Sequence, residues 1–159
     1  MLVVSDASPI MALAACGKLD LLDKLFAKIC IPKAVYDELN VPGKPKSSEI
    51  TAWAKDKIIP VKDMNVVSAF SLTLDTGEAE ALALYLENNA DFLLIDEKRG
   101  RTIAYRNEIN TIGTIGILLF AKQKGLILQV KPLLDILAQT GFRISGILYN
   151  QILERAGEK

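Results

Sequence analysis

The sequence predicts an α/β fold of three layers, with helices on both faces of a central, mainly parallel sheet of four to five strands. Short apolar runs recur along the chain, and segments with helix signals separate them. Apolar runs without strict alternation are typical of strands buried on both faces of a parallel sheet. The chain has 159 residues, which is enough for one domain and short for two. We therefore expect a single domain over residues 1–159.

The predicted strands and helices alternate in chain order. Strands are expected at Leu2–Val4, Lys28–Ile31, Ile58–Val61 and Phe92–Ile95, with Asn110–Ile112 as a fifth. Helices are expected after a Ser8-Pro9 cap, over Pro32–Leu39, after Ser47-Ser48, over Thr76–Glu87, over Ile115–Lys124, and at Pro132–Gln139 and Ile144–Arg155. Residues 41–48 are expected to form a surface loop. In such folds, ligands bind at the carboxyl ends of the strands, where the strand order reverses.

The composition excludes several classes of site. The chain has no histidine, and its two cysteines, Cys16 and Cys30, are not a CxxC pair. Zinc fingers, Cys/His catalytic pairs and serine triads are therefore not expected. No glycine-rich phosphate-binding motif is present. Nineteen basic residues balance nineteen acidic ones, which argues against a general polyanion binder but allows a local basic patch.

Nothing in the sequence predicts a membrane protein. The N-terminus lacks a basic region, and Asp6 interrupts its apolar run, so a signal peptide is not expected. The longest uncharged stretch, Ile109–Ala121, has 13 residues, whereas about 20 are needed to span a bilayer. We expect a soluble, cytoplasmic protein.

Two aspartates stand at the ends of predicted strands. Asp6 follows Leu2–Val4 almost immediately, and Asp96 directly follows Phe92–Ile95. If both strands are central and parallel, both carboxylates emerge at the same edge of the sheet. A capping role is the alternative for each, because aspartate is a good helix N-cap. Two aspartates at equivalent positions favour a shared site.

Two glutamates are candidates to join them. Glu38 lies three residues past Val35, near the edge of a predicted buried stripe, while Asp37 should face solvent. Glu78 lies at the start of a predicted helix. The alternative role of its side chain there is a capping box with Asp75, which competes with metal binding. Glu80 lies about 200° further round that helix, so Glu78 and Glu80 cannot both face one site.

Clustered carboxylates without histidine suit one kind of hydrolytic chemistry. Hard cations such as Mg²⁺ and Mn²⁺ prefer oxygen ligands. Such ions position water, lower its pKa and stabilise charge on a phosphate during its transfer. The sequence therefore predicts an oxygen-ligated Mg²⁺ or Mn²⁺ site formed by Asp6, Glu38, Glu78 and Asp96.

Four motifs in order resemble the PIN-domain family, most closely a prokaryotic subgroup related to VapC-type toxins. They are VVSD6ASPI, IPKAVYDE38L, LD75TGE78AEAL and LLID96EKRGR, and the likeness extends over nearly the whole chain. The resemblance implies the PIN-like fold and Mg²⁺- or Mn²⁺-dependent cleavage of RNA. It matches Asp6, Glu38, Glu78 and Asp96 to the family's four acids, and Ser8 to a small polar residue beside the site.

The resemblance also implies partners and raises alternatives. Many relatives are homodimers inhibited by an antitoxin protein, so both are expected here. The third acid is often an aspartate in the better-known toxins, whereas this chain has Glu78. Asp75 and Glu97 are alternatives for the chosen acids. An RNA- or protein-binding module without catalysis is the alternative function, and a hydrolase of small phosphates is a third.

Positive charge follows the fourth acid. Lys98, Arg99, Arg101 and Arg106 cluster just after Asp96 and are candidates to contact phosphates. Arg101 is the preferred substrate-binding residue, because the Gly-Arg pair recurs in the subgroup. A solvated helix face is the alternative for this cluster. The clustered acids together with the resemblance thus predict a metal-dependent endoribonuclease that acts as a toxin or in RNA processing.

Overall fold

The computed structural model describes all 159 residues and contains one four-stranded sheet. Its strands are β1 (Leu2–Ser5), β2 (Lys28–Cys30), β3 (Phe92–Leu94) and β4 (Thr111–Ile112). The strand order is β2-β1-β3-β4, and every neighbouring pair is parallel. The predicted fold class is confirmed. The order reverses between β1 and β3, so the carboxyl ends of these two central strands form the crevice where α/β proteins bind ligands.

Ten α-helices surround the sheet. They are α1 (Ala7–Ala15), α2 (Asp20–Leu25), α3 (Lys33–Leu39), α4 (Ser47–Ala54), α5 (Met64–Phe70), α6 (Thr76–Asn88), α7 (Lys98–Arg106), α8 (Thr114–Gln123), α9 (Lys131–Gln139) and α10 (Gly146–Ala156). None of them is long and apolar enough to cross a membrane.

Alternate residues of the central strands separate two apolar layers. Val3 and Leu94 pack with α1, α8, α9 and α10 on one face. Val4 and Leu93 pack with α6 and α7 on the other face. Successive strand residues point to opposite faces, so a strand buried on both sides reads as a continuous apolar run. The sheet and the helices packed on its two faces are the three layers of the predicted fold.

Two local expectations were wrong. Ile58–Val61 is not a strand, since only Ile58 pairs, through a single bridge to Ile31. The bridge bonds use Lys57 and Ile59, and the ladder goes no further because the chain of β2 enters α3 at Lys33. Ser8 is not the cap of the first helix either, because that helix begins at Ala7 with Asp6 at the N-cap position.

The last helix divides its apolar residues between core and solvent. Ile152 and Leu153 are buried in the main core. Ile147 is 75% exposed and Leu148 is 39% exposed. Ile144 and Tyr149 are half-buried against the same core, so the C-terminal segment packs on its own domain and leaves part of its apolar surface exposed.

Candidate functional site

Asp6 and Asp96 both emerge at the reversal point of the sheet. Ser5 of β1 pairs in register with Leu94 of β3. Directly beyond this pair, the Asp6 N–H donates to the Leu94 carbonyl over 2.9 Å. The two aspartates therefore follow neighbouring parallel strands, as the sequence predicted. Their side chains share one edge of the sheet.

Three donors hold the carboxylate of Asp96. Thr114 donates to it twice, from its backbone N–H and from its hydroxyl, each over 2.7 Å. The Ser8 hydroxyl donates a third hydrogen bond over 3.1 Å. Oδ2 accepts from both hydroxyls and Oδ1 from the N–H alone, so, with two lone pairs on each oxygen, Oδ1 is the one that keeps acceptor capacity for a further ligand. Ser8, predicted as a substrate-binding residue, touches the site through Asp96.

Asp6 is buried among acids. Its side chain is only 5% exposed, and it makes no capping hydrogen bond with α1. Burial raises the pKa of Asp6 from 3.8 to about 7, opposed by the Ala7 N–H and assisted by the negative charges of Glu38, Asp75 and Asp96. Capping therefore does not explain this aspartate, and its surroundings favour a proton or a cation.

Glu78 has both of the roles that its sequence position suggested. Its backbone N–H donates to Asp75 Oδ1 over 2.8 Å, and the Asp75 N–H donates to Glu78 Oε1 over 3.4 Å. These bonds form the predicted capping box at the start of α6. Burial, then the hydrogen bond and charge of Asp75 and the charge of Asp6, raise the pKa of Glu78 to about 7. Glu78 therefore caps α6, and its carboxylate also lies near the other acids of the site.

Glu38 reaches the site from α3, near its C-terminal end. Partial desolvation and the nearby Asp75 raise the pKa of Glu38, while Lys44 lowers it. Asp37 faces solvent in an ion pair of 2.6 Å with Lys33, as expected. The choice of Glu38 over its neighbour therefore agrees with the direction in which each side chain points.

Glu80 has a structural role that the sequence did not reveal. Its carboxylate accepts a hydrogen bond from the Ala34 N–H, in the first turn of α3, over 3.1 Å. A free N–H at a helix start is a natural partner for a carboxylate. The bond joins α6, which carries Glu78, to α3, which carries Glu38. Glu80 thus points away from the site and holds two of its helices together.

Three glycines make room for three of the acids. A Cβ on Gly100 would lie 2.9 Å from Glu78 Oε2, and one on Gly113 would lie 3.0 Å from Asp96 Oδ1. A Cβ on Gly77 would lie 3.1 Å from Glu38 Oε2. Real Cβ atoms almost never approach within 3.0 Å, so a side chain at Gly100 would displace the carboxylate of Glu78, whereas at Gly113 and Gly77 the contact would be tight and would shift Asp96 or Glu38 only slightly.

The four predicted acids are electrostatic neighbours with Asp6 at their centre. Asp75, which the sequence left as an alternative, acts on Asp6, Glu38 and Glu78 alike. No three acidic side chains are grouped closely enough to hold a metal ion as they stand. The capping-box spacing was the signal for Asp75, but it did not show how many acids Asp75 approaches.

The basic residues of α7 line two different cavities. Arg101 shares an open cavity with Asp96. Lys98, Arg99 and Arg106 line another one, beside Leu72 and Thr73. The predicted cluster is therefore divided, and Arg101 is the member that adjoins an acid of the site.

The comparison with known proteins agrees with this geometry. A family model described as a PIN domain matches residues 2–158, a range that takes in all four acids. No curated protein and no solved structure gives a significant match. The closer likeness to VapC-type toxins stays a prediction. The all-parallel sheet and the match over almost the whole chain lead to one conclusion: the chain belongs to the PIN-domain family.

Proposed function

We propose that this protein is a metal-dependent endoribonuclease that hydrolyses RNA phosphodiester bonds. PIN domains are generally nucleases that use divalent metals. The observation that carries the proposal is the setting of Asp6, a carboxylate whose burial, assisted by the charges of Glu38, Asp75 and Asp96, raises its pKa to about 7. Charges held together in this way cost stability unless a ligand compensates them.

The donor set fits Mg²⁺ or Mn²⁺. All its candidate ligands are carboxylate oxygens, which these hard cations prefer. Asp6, Glu38, Glu78 and Asp96 would hold the cation, with Asp75 beside them. When bound, it supplies an activated water and compensates the charge on the phosphate.

The chain's own residues prepare the site. Thr114 and Ser8 fix the orientation of Asp96, much as outer hydrogen bonds fix metal ligands in other proteins. Burial keeps Asp6 from bulk water, which strengthens its interaction with any cation. Near neutral pH and without a cation, Asp6 and Glu78 are partly protonated, because the pKa of each is about 7. A bound cation would replace those protons.

RNA cleavage by matched variants tests the proposal. Asp6→Asn and Asp96→Asn keep the side-chain shape and remove the charge. Each should lower Mn²⁺-dependent cleavage by at least about a hundredfold, as expected when a group that orients or stabilises reacting atoms is lost. Asp37→Asn is the control, because Asp37 is exposed and pairs with Lys33. Full activity in both site variants would refute the proposal.

A PIN-like module that binds RNA or protein without cutting is the second candidate. It is favoured by the capping box, which occupies Glu78 Oε1, and by the lack of a ready group of three acids. Calorimetric titration with Mn²⁺ separates the two functions. Binding that disappears in Asp6→Asn and Asp96→Asn contradicts the inactive module. The predicted homodimer, antitoxin partner and toxin role stay predictions.

A further inference from the structure

An open cavity of about 600 Å³ adjoins Asp96. One wall comes from β4 and the start of α8, and another from the segment that joins α9 to α10. Arg101, Phe142 and Arg143 line it together with Asp96. The cavity thus places two guanidinium groups and an aromatic ring beside an acid of the proposed site.

Both arginines are free to bind an anion. Every ion pair in the protein uses a lysine, so neither Arg101 nor Arg143 is neutralised by a carboxylate. Asp96 lines the same cavity, but its oxygens accept hydrogen bonds from Ser8 and Thr114. Both arginine side chains are exposed. A planar guanidinium can donate two parallel hydrogen bonds to a phosphate.

The segment that carries Arg143 is anchored. Gly141 has a φ of +89°, a conformation that other residues rarely adopt. After this turn, the Phe142 N–H donates to the Leu137 carbonyl over 3.2 Å, and the ring packs partly against the main core. Phe142 is therefore a fixed apolar wall, and Arg143 extends from a supported backbone.

We propose that this cavity binds the nucleotide next to the scissile phosphodiester of single-stranded RNA. Arg101 and Arg143 bind its phosphate, and its base lies against Phe142. Single-stranded RNA is the class that fits, because its unstacked bases are free to contact an aromatic side chain, whereas duplex bases are hidden. The assignment of the scissile bond rests on the proposed function, but binding in the cavity does not require cleavage.

Fluorescence anisotropy with a labelled single-stranded RNA of about twelve nucleotides, in EDTA, tests the cavity without catalysis. Arg143→Ala and Arg101→Ala should each weaken binding about tenfold, as expected for a lost charge-assisted contact. Each should also reduce the slope of log affinity against log salt by about one. Phe142→Leu, which keeps an apolar side chain, should weaken binding about fivefold through lost stacking.

Arg155→Ala is the matched control. Arg155 is also exposed and outside every ion pair, but it stands in the last turn of α10 and does not line this cavity. Circular dichroism and thermal unfolding confirm that each variant is folded. Equal affinities of Arg143→Ala and Arg155→Ala would overturn the proposal, as would wild-type protein that binds duplex as tightly as single-stranded RNA, or binds neither.

Cleavage is measured separately, so the two proposals fail in different ways. If the wild type binds RNA through Arg143 but never cuts it with Mn²⁺, the cavity assignment stands and the nuclease proposal falls. If the wild type cuts RNA and Arg143→Ala binds and cuts equally well, the cavity assignment falls alone.

Discussion

Thr114 donates two hydrogen bonds to Asp96, one from its hydroxyl and one from its backbone N–H, both over 2.7 Å. Thr114 is fully buried at the first position of α8, so its side chain has one fixed direction. The pair ties the carboxyl end of β3 to the start of α8. It sets where the carboxylate of Asp96 can face.

Loss of the Thr114 hydroxyl should therefore disturb Asp96 specifically. Thr114→Val fills the same space but leaves one oxygen of Asp96 with fewer donors. We expect RNA cleavage to fall about 10- to 100-fold, as for other groups that orient metal ligands, and stability to fall by about 1–2 kcal/mol. Thr114→Ser keeps the hydroxyl and should retain most activity. Equal loss in both variants would show that packing is what matters at this position.

The acidic site should make the metal-free protein less stable as pH rises. The pKa values of Asp6 and Glu78 are raised from 3.8 and 4.5 to about 7 in the folded state. A folded state that binds more protons than the unfolded state loses stability with increasing pH. The stability that these two groups contribute is present at low pH and is lost between about pH 4 and 7. Urea unfolding in EDTA at pH 5 and pH 8 measures the difference.

Asp6→Asn is the control for this pH effect. Asparagine does not titrate, so the variant should lose less stability than the wild type between pH 5 and pH 8. Identical pH dependence in the two proteins would mean that Asp6 ionises normally in the fold.

Gly100 should be intolerant of a side chain. A Cβ there would lie 2.6 Å from Ile95 Cδ1 and 2.9 Å from Glu78 Oε2. Gly100→Ala should cost about 1–3 kcal/mol, as overpacking does, and reduce activity by moving Glu78. Gly146→Ala is the matched control in another helix, because nothing lies within 4 Å of its Cβ, and it should be neutral or slightly stabilising. Urea unfolding and RNA cleavage are measured for both variants. A Gly100→Ala variant as stable and as active as Gly146→Ala would contradict the prediction.

The bond between Glu80 and Ala34 predicts an indirect effect on activity. Glu80→Gln removes the charge but keeps an acceptor oxygen, whereas Glu80→Ala leaves the start of α3 without this cap. We expect Glu80→Ala to cost about 1 kcal/mol and to weaken Mn²⁺ binding through displacement of Glu38. Glu80→Gln should remain close to wild type. Mn²⁺ affinity unchanged in Glu80→Ala would contradict a positioning role.

The sequence was sufficient for features decided by local pattern. Buried parallel strands read as short apolar runs, so the positions of Asp6 and Asp96 at strand ends followed directly. The Asp75 and Glu78 capping box was also visible, because capping depends on residues three apart. The run Ile58–Val61 looked like a strand for the same reason, but it pairs at Ile58 alone, because its partner chain turns into α3 at Lys33.

Contacts between segments that are far apart in the sequence could not be predicted from it. Glu80 meets Ala34 across 46 residues, and Arg143 comes beside Asp96 only because the turn after α9 packs against α8 and β4. Neither pair has a local signal, since the packing of whole helices determines them. The same is true of the approach of Asp75 to Asp6 and Glu38.

A crystal structure of the protein with Mn²⁺, with the ion located by its anomalous scattering, tests most directly whether the acids form one metal site. We expect a peak at the carboxyl ends of β1 and β3, about 2–2.3 Å from oxygens of Asp6 and Asp96, with Glu38 or Glu78 close by. A saturated crystal with no peak there, or with its peak elsewhere on the protein, would contradict a metal site formed by these acids.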